Sequence, residues 1–126
     1  MSKNLKIMVV DDSLITIKKI EKILNGLGHQ VIKSSNTGEE AIVDYKQCLP
    51  DLLTMDITMP DMDGITATQK IIELDPDALI IMVTSHGQEQ KVMDAIEAGA
   101  KGYVLKPIRA EKLEDTINKV ILNYQK

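Results

Sequence analysis

An α/β fold, with five parallel strands sandwiched between helices, is predicted by three features of this sequence. Short apolar runs alternate with amphipathic stretches from one end of the 126-residue chain to the other. The first and fourth runs are continuous Ile, Val, Leu and Met, the composition of central parallel strands covered on both faces. Repeats, long linkers and low-complexity segments are missing, so strict βα alternation implies right-handed crossovers within one sheet. A chain of this length is one ordinary domain, residues 1–126, too short for two independent cores.

Taken in order, the strands are predicted at Leu5 to Val10, Gln30 to Ser34, Leu52 to Met55, Leu79 to Val83 and Tyr103 to Leu105. Between the first two, Ile17, Ile20, Leu24 and Leu27 fall on one helical face, and Gly26 and Gly28 end the helix. Thr37, followed three residues later by Glu40, is a capping signal that opens the second helix. The third runs from Gly64 to Leu74, where Asp75-Pro76 stops it; the fourth covers Gln88 to Ala98 and stops at Gly99. The fifth buries Leu113, Ile117, Val120 and Ile121 as one stripe.

Composition excludes several classes of function. The net charge is -4, from 15 basic and 19 acidic residues, which is no footprint for a polyanion. Without Phe or Trp there is no stacking platform for unpaired bases, so direct nucleic-acid binding is not expected. No apolar run reaches the roughly 20 residues of a membrane span, and the N-terminus lacks a signal-peptide pattern; a cytoplasmic location and no membrane insertion are expected. Cys48 has no partner for a disulfide and fits no zinc spacing, so a reduced, inert thiol is expected.

Ligands of open α/β sheets bind outside the carboxyl ends of the strands. There the sequence delivers Asp11-Asp12-Ser13, Asp56, Thr84-Ser85 and Lys106-Pro107. Two carboxylates about 5 Å apart repel by roughly 3 kcal/mol at an effective dielectric near 20, so three on one rim need a positive partner beyond Lys106. All-oxygen ligation suits Mg²⁺, with Mn²⁺ as a substitute. Such a site accepts one further dianionic group, and a phosphoryl fits, with Asp56 as nucleophile and Lys106 and the Thr84 hydroxyl on its oxygens.

The set Val10-Asp11-Asp12-Ser13, Met55-Asp56-Ile57-Thr58-Met59-Pro60-Asp61-Met62-Asp63-Gly64, Val83-Thr84-Ser85 and Leu105-Lys106-Pro107 resembles the receiver domain of bacterial response regulators, over essentially the whole chain. It is most similar to stand-alone receivers of the chemotaxis CheY type. The resemblance implies the flavodoxin-like, doubly wound strand order 2-1-3-4-5, flanked by five helices. It implies phosphoryl transfer to Asp56 from a histidine kinase or phosphotransfer protein, with Mg²⁺ on Asp11, Asp12, Asp56 and the Thr58 backbone carbonyl. It further implies a cis Lys106-Pro107 bond and a switch through Thr84 and Tyr103 that changes the surface of helix four, strand five and helix five for a downstream protein.

Several residues carry a plainer reading beside the functional one. Adjacent aspartates after a strand are commonly a turn or helix cap, and Asp56 before a Pro-Asp-Met-Asp-Gly loop could serve a turn, though at a buried strand tip that is costly. Tyr103 reads either as edge-strand packing or as the switch aromatic. His86 is ordinarily a solvated loop residue; by the family analogy it and Thr58 flank the path of attacking water and set the phosphate lifetime. Met59 and Met62 read as gap-filling core, and Lys18, Lys19 and Lys22 as a solvated face. Ile17 stands where many chemotaxis receivers carry a basic residue, which weakens a flagellar-motor target. An aspartyl-phosphate phosphatase would need an acid two residues after its nucleophile and a cap over substrate, and here Thr58 occupies that position. A flavin carrier would need aromatic residues to sandwich the ring. A signalling module is therefore expected, not an enzyme beyond slow autodephosphorylation, acting as monomer or phosphorylation-dependent dimer. The sequence is expected to be a whole gene product whose output is association with a protein partner.

Overall fold

The computed structural model describes residues 4–124. Met1 to Lys3 and Gln125-Lys126, on which the expectations about a leader and the chain's end rest, lie outside the described residues. Five strands, β1 (Lys6–Val10), β2 (Gln30–Ser35), β3 (Leu52–Asp56), β4 (Ile80–Thr84) and β5 (Gly102–Leu105), alternate with five helices. These are α1 (Leu14–Gly26), α2 (Gly38–Cys48), α3 (Gly64–Leu74), α4 (Glu89–Ala98) and α5 (Ala110–Tyr124). All strand pairs are parallel and the order is β2-β1-β3-β4-β5, as expected.

Two apolar layers cover the sheet. Ile7 and Val9 of β1 face Ile17, Ile20 and Leu24 of α1 and Leu113, Ile117 and Val120 of α5. Met8 and Val10 face the opposite layer, with Ala41 and Tyr45 of α2, Ala67 and Ile71 of α3 and Ala95 of α4. The period-two alternation of a strand thus feeds both layers, which is why the central runs read as apolar throughout. Met59 is buried in the second layer and Met62 packs against it, so both methionines fill the core. Ile17 is buried in the first layer beside the exposed Lys18.

β1 and β4 begin one residue later than the sequence reading and β5 one residue earlier, and three carboxyl ends also differ. β2, β3 and β4 each run one residue further, to Ser35, Asp56 and Thr84. Their backbones still pair across the sheet, as Val10↔Ser35, Asp56↔Val83 and Thr84↔Leu105, so polar side chains end the apolar pattern before the ladder ends. The consequence is functional: Asp56 and Thr84 stand on rigid strand tips. Gly28 takes φ +92°, and the amides of Gly28 and His29 bond back to the Asn25 and Leu24 carbonyls at 3.1 and 3.0 Å, closing α1 as a Schellman motif. No described helix is long and apolar enough to cross a membrane.

Candidate functional site

β1, β3, β4 and β5 deliver their last or next residues to one rim. Asp11 follows β1 with its backbone amide held by the Ser35 carbonyl at 3.1 Å, and is fully buried. Its Oδ1 accepts the Ser13 amide at 2.9 Å, while Ser13 Oγ accepts the Thr16 amide and caps α1. Ser13, not the acidic pair, caps α1; Asp11 serves the turn through Oδ1 and faces Lys106 through Oδ2, so a turn role and a site role coexist on different atoms. Asp12, next to it, is exposed. Asp56 is 5% exposed, and one carboxylate oxygen from each of Asp11, Asp12 and Asp56 lies within 4.8 Å of the others.

Lys106 is the cation of this cluster. Its Nζ stands 3.5 Å from Asp11 Oδ2 and 3.5 Å from Asp56 Oδ1, and its backbone amide donates to the Thr84 carbonyl at 2.7 Å. The Lys106-Pro107 peptide is cis. One ammonium between two carboxylates leaves a net negative site, and acidity follows. Burial, then the Asp11 charge, push the Asp56 carboxyl up to about 6 against the pull of Lys106. Burial likewise raises Asp11, opposed by the Ser13 amide and by Lys106.

A cavity of about 280 Å³ opens on these groups, lined among others by Asp12, Asp56, Thr58, Thr84, Gln88 and Lys106. Thr84 is 2% exposed, and its hydroxyl donates to the Ser85 carbonyl at 3.4 Å, a long bond that leaves it free to turn. Thr58 is exposed on the β3–α3 loop. His86 is exposed and lines neighbouring grooves, not this cavity. Gln88, the N-cap of α4, lines it instead, a position that sequence patterning did not single out.

The donor set fits a hard, hydrated dication. Asp11 Oδ2 and Gln88 Oε1 are buried without a hydrogen-bond partner, and three carboxylates converge where one lysine cannot neutralise them.

Tyr103 on β5 is 49% exposed beside an apolar groove of about 440 Å³, which Val92, Met93 and Ile96 of α4 and Leu105 also line. It belongs to the α4–β5 surface, away from the acids. Lys91, Asp94 and Glu97 are exposed along α4. Cys48 is a free, partly buried thiol.

Two glycines seat the β3–α3 loop. The Gly64 amide donates to the Ile57 carbonyl at 2.6 Å, and a Cβ at Gly64 would collide with the Asp56 carbonyl oxygen. A Cβ at Gly38 would meet both Cβ and the carbonyl oxygen of Met62 at 2.9 Å. Neither close approach is readable from local sequence, because each is a tertiary contact.

Known proteins carry the same pattern. Residues 7–118 match the family model described as the response regulator receiver domain. Chemotaxis protein CheY of Bacillus subtilis is 44% identical over 116 residues, covering 92% of this chain and 97% of that protein. CheY of Thermotoga maritima is 38% identical over 115 residues, covering 91% of this chain and 96% of that protein. Among solved structures, a chain of the CheX-CheY-BeF3-Mg²⁺ complex from Borrelia burgdorferi superposes with a TM-score of 0.90 at 37% identity, covering 94% of this chain and 90% of that one. With its strand order, its converging acids and these matches, the chain belongs to the response regulator receiver domain family.

Proposed function

We propose that residues 1–126 form one receiver that accepts a phosphoryl group on Asp56 in a two-component pathway and passes the change to a protein partner. The observation that carries this reading is a buried strand-tip carboxylate, Asp56, within 3.5 Å of Lys106 and crowded by two further acids around an open cavity. CheY-like receivers are generally signalling proteins and not enzymes, and this chain belongs with them.

Asp11, Asp12, Asp56 and the Thr58 carbonyl would hold Mg²⁺. When bound, the ion supplies two positive charges that offset the acids and draw negative charge off the transferring phosphoryl group. Asp56 supplies the nucleophile. With its pKa near 6 it is mostly ionised above neutral pH. A carboxylate oxygen forms the new bond to phosphorus as the bond to the donor's imidazole nitrogen breaks, and the leaving imidazole keeps that electron pair and its proton. Lys106, already beside Asp56, turns its ammonium to a phosphoryl oxygen. The Thr84 hydroxyl exchanges its long bond to Ser85 for another such oxygen.

Movement of Thr84 vacates space behind β4 and β5. Tyr103 then rotates inward from its exposed position, reshaping the α4–β5–α5 surface that a downstream protein reads. The phosphoryl group contributes the few kcal/mol that shift a pre-existing equilibrium. The relative crystallised with BeF3, Mg²⁺ and CheX supports both halves of this reading, the site chemistry and the partner. The receiver acts as a monomer or as a phosphorylation-dependent dimer. Slow loss of the phosphoryl group to water completes the cycle, with Thr58, which lines the cavity, and His86, two residues beyond Thr84, as the residues that tune its rate.

Incubation with Mg²⁺ and acetyl phosphate tests the reading. Intact mass should rise by one phosphoryl group, the gain should vanish with chelator, and an unchanged wild-type mass would refute the function. Lys106→Ala should retain some phosphorylation yet lose its coupling to partner binding.

A further inference from the structure

The β3–α3 loop carries Thr58 between two fixed points. At its base, Gly64 bonds back to Ile57. At its apex, Asp61 reaches across to another element altogether: Oδ1 accepts the Gly38 amide at 3.1 Å and Oδ2 accepts the Glu39 amide at 3.2 Å, both in the first turn of α2. These two amides are orphan donors at the helix start. The helix has its own N-cap, Thr37, whose Oγ1 accepts the Glu40 amide at 3.1 Å, and Glu40 Oε1 in turn accepts the Asn36 amide at 3.2 Å. Thr37 leaves the first two amides unclaimed, and Asp61 takes both. A carboxylate is the suited acceptor there, since the helix N-terminus carries partial positive charge. Gly38 completes the fit, because any side chain on it would strike Met62.

The same helix also holds the other acidic loop. Asp44 of α2 accepts the Ser35 hydroxyl at 2.7 Å, and the Ser35 carbonyl receives the Asp11 amide at 3.1 Å. Both loops that bring acids to the rim are therefore tied to α2, one through Asp61 and one through Ser35.

Building on the phospho-accepting role of Asp56, we propose that Asp61 is a positioning residue. Its two bonds to the start of α2 latch the β3–α3 loop so that Thr58 and Asp56 keep the spacing to Asp11 and Asp12 that a divalent cation requires. Asp61 touches neither cation nor phosphoryl group. It acts through the loop, as outer-shell partners do when they orient ligands.

Three single variants separate a latch from a mere helix cap. Asp61→Ala removes both ties. Thr37→Ala weakens the start of α2 without touching the loop. Asp61→Asn keeps one acceptor oxygen. Mg²⁺ affinity is read by calorimetry and loop order by amide hydrogen exchange at Gly64. Asp61→Ala should weaken Mg²⁺ binding by about tenfold, the low end of outer-shell effects on metal affinity, and speed exchange at Gly64. Thr37→Ala should leave both at wild-type values while still lowering the unfolding midpoint, and Asp61→Asn should recover most of the lost affinity. Equal Mg²⁺ affinity and equal Gly64 exchange in Asp61→Ala and Thr37→Ala would overturn the latch. If the wild type itself binds no Mg²⁺ and takes no phosphoryl group, the reading of Asp56 fails. The latch is then decided by Gly64 exchange alone, and unchanged exchange in Asp61→Ala overturns it.

Discussion

Replacing Asp56 should make the metal-free protein more stable. At 4.8 Å and an effective dielectric near 20, a pair of carboxylates repels by about 3.5 kcal/mol. The Lys106 contact at 3.5 Å returns about 5 kcal/mol on the same scale, but that ammonium is equally close to Asp11 and its side chain is 30% exposed, so Asp56 receives only part of it. Burial adds to the repulsion. The balance is unfavourable, in accord with a carboxyl raised from 3.8 to about 6, which corresponds to about 3 kcal/mol held against the ionised form. Asp56→Asn removes that charge at nearly constant shape. Allowing for the weakened lysine contact, a gain of about 2 kcal/mol is expected at pH 7.5 in EDTA.

The pH dependence follows from the direction of the shift. A carboxyl raised on folding binds more protons in the native state, so its cost is complete above about pH 6, declines on acidification and is gone below the unfolded value of 3.8. The advantage of Asp56→Asn should thus shrink by about half at pH 5. Urea titrations of both proteins at the two pH values measure this. Mg²⁺ at ten times its dissociation constant should stabilise the wild type by about 1.4 kcal/mol and the variant by less. A variant that is no more stable than the wild type in EDTA at pH 7.5 would refute the electrostatic reasoning.

Other perturbations have equally definite outcomes. Gly64→Ala forces a methyl onto the Asp56 carbonyl, and it should lower stability in urea by roughly 1–3 kcal/mol and slow phosphorylation together, whereas intact phosphorylation would show that the loop yields freely. Tyr45→Phe deletes the 2.6 Å bond from the buried Tyr45 hydroxyl, in the last turn of α2, to Asp75 at the end of α3, at a cost of about 1–2 kcal/mol in urea; the phosphorylation rate should hold, and a slower rate would contradict that separation from the site. Burial lowers the pKa of His29, against the pull of Glu114, and His29 Nδ1 accepts the Leu5 amide at 3.1 Å. The neutral ring is thus favoured on folding, and its contribution is complete above the ordinary value of 6.5 and lost as pH falls through the lower folded value. The stability difference between wild type and His29→Gln should narrow from pH 7 to pH 5, and a constant difference would sink the assignment.

Much of this architecture was legible because its signals are local. Apolar runs mark the strands, Thr37 caps α2 as its spacing predicts, and the strand order came with the resemblance. The acids, Thr84 and Lys106 were legible because parallel strands send their carboxyl ends to one rim. Strand ends were misread by one residue because Ser35, Asp56 and Thr84 break the apolar pattern while their backbones stay in the ladder. Other features arise only on folding. Asp61 lies 23 residues from Gly38 in sequence, and in a Pro-Asp-Met-Asp-Gly stretch it reads as one more turn residue. Gln88 reads as a helix start, and only the packing of α4 brings it to the cavity. His86, which the analogy sets beside the path of attacking water, lines the α4–β5 groove next to the cavity.

The most direct measurement locates the phosphoryl group itself. Wild-type protein is incubated with Mg²⁺ and acetyl phosphate, reduced with borohydride so that an aspartyl phosphate becomes homoserine, and mapped by peptide mass. Homoserine at position 56, absent when EDTA replaces Mg²⁺, is the predicted result; homoserine at Asp11 or Asp12, or none anywhere, would contradict it.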